Sequence, residues 1–180
     1  MKGVVYSEFL EMLEGSFDPV FVENLIEEAD LPSGGIYTSV GTYDWREMVQ
    51  LVSLLSEKSG TPVADLIKSF GGYLLHVFVR SHGQMFTRDD NTYTVLERLN
   101  DRIHVDVKKL YPDAELPTFA HRWLAEGQLE LTYRSPRPFA DLAEGLIREC
   151  IKYFGEDIAV TRRDISVEPE AHTVFVLTQQ

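Results

Sequence analysis

The feature that most constrains this chain is a change in its hydrophobic period. Up to about residue 80, and again from Thr92 to Leu110, apolar residues recur at three- and four-residue steps, as a helix buried along one face requires. After Gly127 the pattern becomes alternation, in Leu129 to Ser135, Ile158 to Val167 and Thr173 to Leu177, with a helical stretch from Pro138 to about Phe154 between the first two. Strands interrupted this way should pair antiparallel, so the fold class is α+β: a helical N-terminal lobe and a C-terminal lobe carrying an antiparallel sheet.

Local signals set the helix limits. Val4 to Leu13 reads as a helix with Val5, Phe9, Met12 and Leu13 inward and Gly15 at its end. Asp18-Pro19 caps and opens a second, because proline at the first helical position gives up only an N–H that has no partner there. Leu31-Pro32-Ser33-Gly34-Gly35 is a turn, lacking the Lys-Ser/Thr of a phosphate loop. Tyr43 or Asp44 starts a third helix, striped by Met48, Leu51, Val52 and Leu55 and stopped by Gly60. Thr61-Pro62 caps a fourth, in which Leu66, Ile67, Phe70, Leu74, Val77 and Phe78 form a broad buried face. Gly71-Gly72 interrupts it, at about 1 kcal/mol per glycine relative to alanine, which suggests a kink or the close approach of something flat. Ser81 to Asn91 is polar and turn-rich, and Tyr111 to Gly127 reads as irregular. At 180 residues this is one domain, with a helical part over about 1–80 and a second part over about 90–180.

Composition narrows the partners. The 29 acidic and 17 basic residues leave a net charge of −12, which repels phosphate backbones and anionic membranes; neither nucleic acid nor membrane is an expected partner. The one cysteine, Cys150, permits no internal disulfide and reads as a small core residue. No signal-peptide pattern or long apolar run is present, so a cytoplasmic protein is expected.

The chemistry concentrates between Asp101 and Arg137. His104 lies in the pattern Leu96, Leu99, Ile103, Val107, Leu110, so its imidazole leaves the helix beside the apolar stripe, where an axial metal ligand would stand. A core histidine is the alternative, as a strand edge with ordinary polar groups is for Tyr133, Ser135 and Arg137. Those three alternate at the end of the first strand, so a phenol, a hydroxyl and a guanidinium can face one anionic group. Asp101 is one candidate to orient the imidazole, and a backbone carbonyl would serve equally.

Several motifs in one order decide between these readings. Met1-Lys2-Gly3, Phe70-Gly71, Ile103-His104, Leu110-Tyr111-Pro112-Asp113-Ala114, Pro117 and Phe119, Tyr133-x-Ser135-x-Arg137, Ala143-Glu144-Gly145-Leu146-Ile147 and Tyr153-Phe154-Gly155-Glu156 resemble the haem nitric oxide/oxygen binding (H-NOX) family over nearly the whole chain. The resemblance implies haem b, iron protoporphyrin IX, held between the two lobes, with His104 as proximal ligand. It assigns the propionates to Tyr133, Ser135 and Arg137, and a contact that distorts the macrocycle to Pro117. It lines the distal pocket with Val5, Phe9, Leu74, Phe78, Leu142 and Leu146. All six are apolar, and Leu142 stands where oxygen-binding relatives carry a tyrosine, so the expected ligands are nitric oxide and carbon monoxide, not dioxygen. Phe139 replaces the first cysteine of the zinc site found in some relatives, and no structural zinc is expected. The implied function is gas sensing rather than catalysis, with signalling to a separate output protein, a histidine kinase or a cyclic-di-GMP enzyme. Two alternatives stay open. A haem enzyme acting on peroxide or nitrite would need distal acid–base groups, for which only His76 is arguable; a haem-free binding module would fill the cavity otherwise. His82, His121 and His172 read as loop, surface or strand residues.

Overall fold

The computed structural model describes residues 1–81, 83, 86–87, 89–167 and 170–180. His82, part of the polar Ser81 to Asn91 segment and Glu168-Pro169 of the tail lie outside the described residues. The chain forms two compact units, Met1–Phe70 and Gly71–Gln180.

The first unit is helical. Helix α1 spans Gly3–Ser16 and buries Gly3, Tyr6, Phe9 and Leu13; it runs through Gly15 rather than stopping there. Helix α2, Pro19–Glu28, begins as the sequence predicts: Asp18 accepts from the Val20 amide and Pro19 takes the first turn. Helix α3, Trp45–Ser59, is capped by Asp44, buries Met48, Leu51, Val52 and Leu55, and ends at Gly60 in the left-handed conformation. The turn between α2 and α3 carries a feature the periodicity does not reveal. The buried Glu47 carboxylate accepts from the hydroxyls of Ser33, at 2.5 Å, and Tyr37, at 2.9 Å, while the Tyr6 ring stacks on Tyr37 at 4.2 Å. Two neutral donors satisfy this buried carboxylate.

Helix α4, Val63–Ser81, is shared by both units. The glycine pair does not interrupt it. A side chain at Gly71 would meet the backbone of the second unit's long helix, with Cβ only 2.4 Å from the Leu142 carbonyl oxygen and 3.0 Å from the Gly145 Cα. The close approach expected at Gly71 is therefore made by a helix. Phe78, expected on the buried face, is 38% exposed.

The second unit continues with α5, Thr92–Glu97, capped by Asn91 in a reciprocal arrangement with Thr94. The single long helix expected from Thr92 to Leu110 is broken in three: α5, a π-helical turn Leu99–Ile103, and α6, His104–Leu110. The Ile103 amide donates to the Arg98 carbonyl five residues back, which fixes the wider turn. That extra residue puts the sequence out of step with the expected stripe: Leu96 is buried, but no residue from Leu99 to Leu110 is, and Leu110 is 57% exposed.

Among the described residues four strands form an antiparallel sheet in the order β1-β2-β4-β3: β1 Thr118–Ala125, β2 Gln128–Ser135, β3 Ile158–Val167 and β4 Glu170–Gln179. Strand β1 occupies what reads as irregular chain. Its two-residue connection to β2, Glu126-Gly127 with Gly127 at φ 70°, is a hairpin signal, but all of β1 except Phe119 is exposed and shows no clean alternation. Leu129, Leu131 and Tyr133 of β2 share a face with Phe175 and Leu177 of β4. Helix α7, Ala140–Phe154, covers that face with Ala143, Ile147 and Ile151, and stops at Gly155, φ 67°. Arg162 of β3 fastens to α7 by ion pairs with Asp141 at 2.6 Å and Glu144 at 3.1 Å. No described helix is long and apolar enough to cross a membrane.

Candidate functional site

The sequence-predicted proximal residues assemble within the second unit. His104 opens α6 directly after the π-helical turn, partly buried, and its ring forms no hydrogen bond with any described residue. Burial, helped by the Lys108 charge, pushes the imidazole down to about 4, so at neutral pH it is neutral with a lone pair to offer. Asp101 is exposed and makes no bond to it. The nearest ring is Phe119 of β1, centroid at 5.9 Å, and Phe119 in turn meets Tyr133 of β2 edge-on at 5.4 Å.

Tyr133 is 2% exposed and Ser135 5%, because alternate residues of β2 turn towards α7. Burial holds the Tyr133 phenol above its usual range, offset in part by the Ser135 hydroxyl and the Arg137 charge beside it. Arg137 lies past the end of β2, so strict alternation does not place it. A local turn does: its amide donates to the Ser135 hydroxyl at 3.0 Å. Its guanidinium, 14% exposed, ion-pairs with the Glu115 carboxylate, and a second nitrogen approaches the Glu115 carbonyl at 3.4 Å. Pro117, partly buried, stands between Glu115 and Phe119.

These residues fit a haem. A neutral nitrogen ligand and a cluster of two hydroxyls and a guanidinium are the donor set that an iron porphyrin with two propionates requires, and Arg137 already holds one carboxylate, that of Glu115.

The six residues expected to form the distal wall divide between the units. In the first, Val5 is partly buried, and Phe9 is fully buried, edge-on to Phe70 at 5.0 Å. In the second, Leu74 is buried, Leu142 and Leu146 are partly buried, and Phe78 is exposed. Leu146 also packs against Leu75, Val95 and Cys150. His76 points outward and pairs with Glu149 at 3.0 Å, 49% of its side chain exposed. Cys150 is buried, and desolvation pushes its thiol up to about 12. The residue that sequence reasoning missed is Asn100, whose amide meets the backbone of Phe119. A polar residue amid the apolar repeat before His104 was its only signal.

A family model described as haem-NO-binding matches residues 2–162. Among solved structures, the H-NOX protein of Shewanella woodyi, determined in solution in the Fe(II)CO state with IWP-051 bound, is 38% identical over 100% of this chain and 95% of that one, with a TM-score of 0.84. A single-residue variant of the unliganded Fe(II) H-NOX protein of K. algicida is 30% identical, covers 100% and 97% of the two chains, and superposes with a TM-score of 0.92. The H-NOX protein of S. oneidensis in its Fe(II)NO state, 24% identical over 100% and 99% with a TM-score of 0.88, shares the fold. No curated protein matches. A family match across most of the chain, on a helix-and-sheet fold common to these proteins, makes this chain a member of the H-NOX family of haem-binding gas-sensor domains.

Proposed function

We propose that this chain is a sensor of nitric oxide and carbon monoxide, not of dioxygen, built on ferrous haem b and signalling to a separate output protein. The observation that supports it best is the proximal assembly: a neutral imidazole without a hydrogen-bond partner among the described residues, joined through Phe119 to Tyr133, Ser135 and Arg137. When bound, ferrous haem supplies an iron with an open coordination position for a diatomic gas. His104 would hold the iron from the proximal side, and Tyr133, Ser135 and Arg137 would donate to the propionates. Pro117 would bear on the macrocycle.

On the distal side, Val5, Phe9, Leu74, Phe78, Leu142 and Leu146 have no hydrogen-bond donor in their side chains, which leaves the partial negative charge of bound dioxygen unsupported. Nitric oxide needs no donor, and relatives have been solved in Fe(II)NO and Fe(II)CO states. A sensing rather than catalytic role is supported by the six apolar distal residues and by His76, whose half-exposed imidazole is engaged with Glu149 at 3.0 Å. The output would be a shift of the His104 segment, with Leu99–Leu110 acting as a two-state element biased by ligand. One domain spanning residues 1–180 would present that change to a histidine kinase or a cyclic-di-GMP enzyme, in a cytoplasm that suits a chain with a single, buried cysteine.

Absorption spectra of the reduced protein before and after nitric oxide, carbon monoxide and air test this, with His104→Gly alongside. Shifts with the first two gases and none with air, together with loosened haem in the variant, are expected. A stable oxygenated spectrum in air overturns the selectivity, and a protein that takes up no haem overturns the reading.

A further inference from the structure

The segment carrying His104 contains no fully buried residue, and its described apolar contacts to the cores run through the partly buried Leu99 and Ile103 of the π-helical turn. Against this, one polar contact stands out. Asn100, in the π-helical turn, accepts from the Phe119 amide through Oδ1 at 3.1 Å and donates through Nδ2 to the carbonyl of the same residue. A side-chain amide that satisfies both backbone groups of one residue acts like an added strand position on the free edge of β1. Phe119 is Tyr133's partner in the β1–β2 register. Because its N–H and C=O point away from β2, the two form a non-hydrogen-bonded pair, whose side chains lie close; the ring contact at 5.4 Å is the result. Phe119 is thus gripped at its backbone by Asn100 and flanked at its ring by His104 and Tyr133.

We infer that Asn100 is a positioning residue that clamps the π-helical turn to the edge of β1, so that movement of the His104 segment is passed to the sheet at Phe119. This rests on the sensor reading above. The signal then leaves the proximal side through the edge of β1, a strand whose other residues are exposed. Without the clamp, the segment would relax alone and β1 would stay in place.

The test is amide hydrogen exchange, resolved by residue, on the full chain with Asn100→Ala and the milder Asn100→Ser, whose hydroxyl cannot reach both Phe119 groups. Without gas, the Phe119 amide should exchange about tenfold or more faster in Asn100→Ala, the loss expected for one hydrogen bond at a strand edge. Leu129 and Leu131, in the β2–β4 ladder, should keep their protection and show that the variant is folded. When nitric oxide is added to the reduced protein, protection at Phe119 to His121 should change in the natural sequence and not in Asn100→Ala, with Asn100→Ser between them. An unchanged Phe119 amide in Asn100→Ala, or a gas-driven change in β1 that survives it undiminished, overturns the clamp. Failure to bind haem or nitric oxide refutes the sensor reading instead, and the gas-free exchange rate of Phe119 still decides whether Asn100 holds the strand.

Discussion

Adjacent glycines in α4 should respond to the same substitution with opposite signs. In a helix interior, glycine to alanine gains about 1 kcal/mol from propensity alone. At Gly72 little opposes that gain: a new Cβ would lie 3.4 Å from a Glu149 carboxylate oxygen and 3.7 Å from its Cγ, ordinary contact with a side chain that can yield. Gly72→Ala should therefore stabilise by roughly 0.5–1 kcal/mol. At Gly71 the same methyl would stand 2.4 Å from the Leu142 carbonyl oxygen, 2.9 Å from the Leu146 amide nitrogen and 3.0 Å from the Gly145 Cα. All three are backbone atoms of α7, which is packed on the sheet through Ala143, Ile147 and Ile151, so relief requires moving the helix. Overpacking of this kind costs about 1–3 kcal/mol, and rigid backbone on every side favours the upper end; net of propensity, Gly71→Ala should destabilise by about 2 kcal/mol. Urea titrations of both variants, compared at unchanged m, separate the two by about 3 kcal/mol. Equal shifts of the same sign, or a Gly71→Ala variant as stable as the parent, would refute the helix-on-helix account of that glycine.

Other perturbations follow from the same contacts. Arg137→Ala removes a charged double donor beside Tyr133 and Ser135, and haem transfer to an acceptor protein should quicken by about tenfold or more, with Arg137→Lys restoring only part. Asp90, held by the Thr87 amide and hydroxyl and by Arg98 at 2.6 Å, keeps its carboxyl below the ordinary range despite burial. Its folded-state value lies below its unfolded one, so its contribution is complete above about pH 4 and fades as the pH falls through the lowered value; Asp90→Asn should flatten the acid limb of a stability–pH curve. Cys150, with its thiol pushed up to about 12, should resist iodoacetamide at pH 8 in the native protein and react only in denaturant.

How far the sequence could be read depended on what each signal measured. Asp18-Pro19, Asp44, Gly60 and Gly155 act within one turn of themselves, and each helix limit falls where they put it. Strand β3 was legible from its alternation, as was the buried column of β2. Strand β1 was not, because an exposed edge strand has no buried face to impose a period on Arg122, Trp123 and Leu124. At the candidate site, His104, Tyr133 and Ser135 follow from periodicity and motif, whereas the Arg137–Glu115 pair and the Asn100–Phe119 clamp join residues far apart in the chain, which spacing cannot show. Phe78 and Leu110 were misplaced by extending a helical stripe beyond the packing that supports it.

The π-helical turn bears on how this chain can be altered or aligned. A π turn is in effect an insertion of one residue into an α-helix, absorbed locally rather than looped out. Deleting one residue between Arg98 and Ile103 would therefore let the chain close into a continuous α-helix from Thr92 to Leu110 with His104 kept near its place. Tightening the same turn to α geometry without a deletion would instead carry His104 about 100° around the helix axis, away from Phe119. For this segment, the width of one turn sets where the histidine faces, and a relative one residue shorter before its histidine can present it in the same direction.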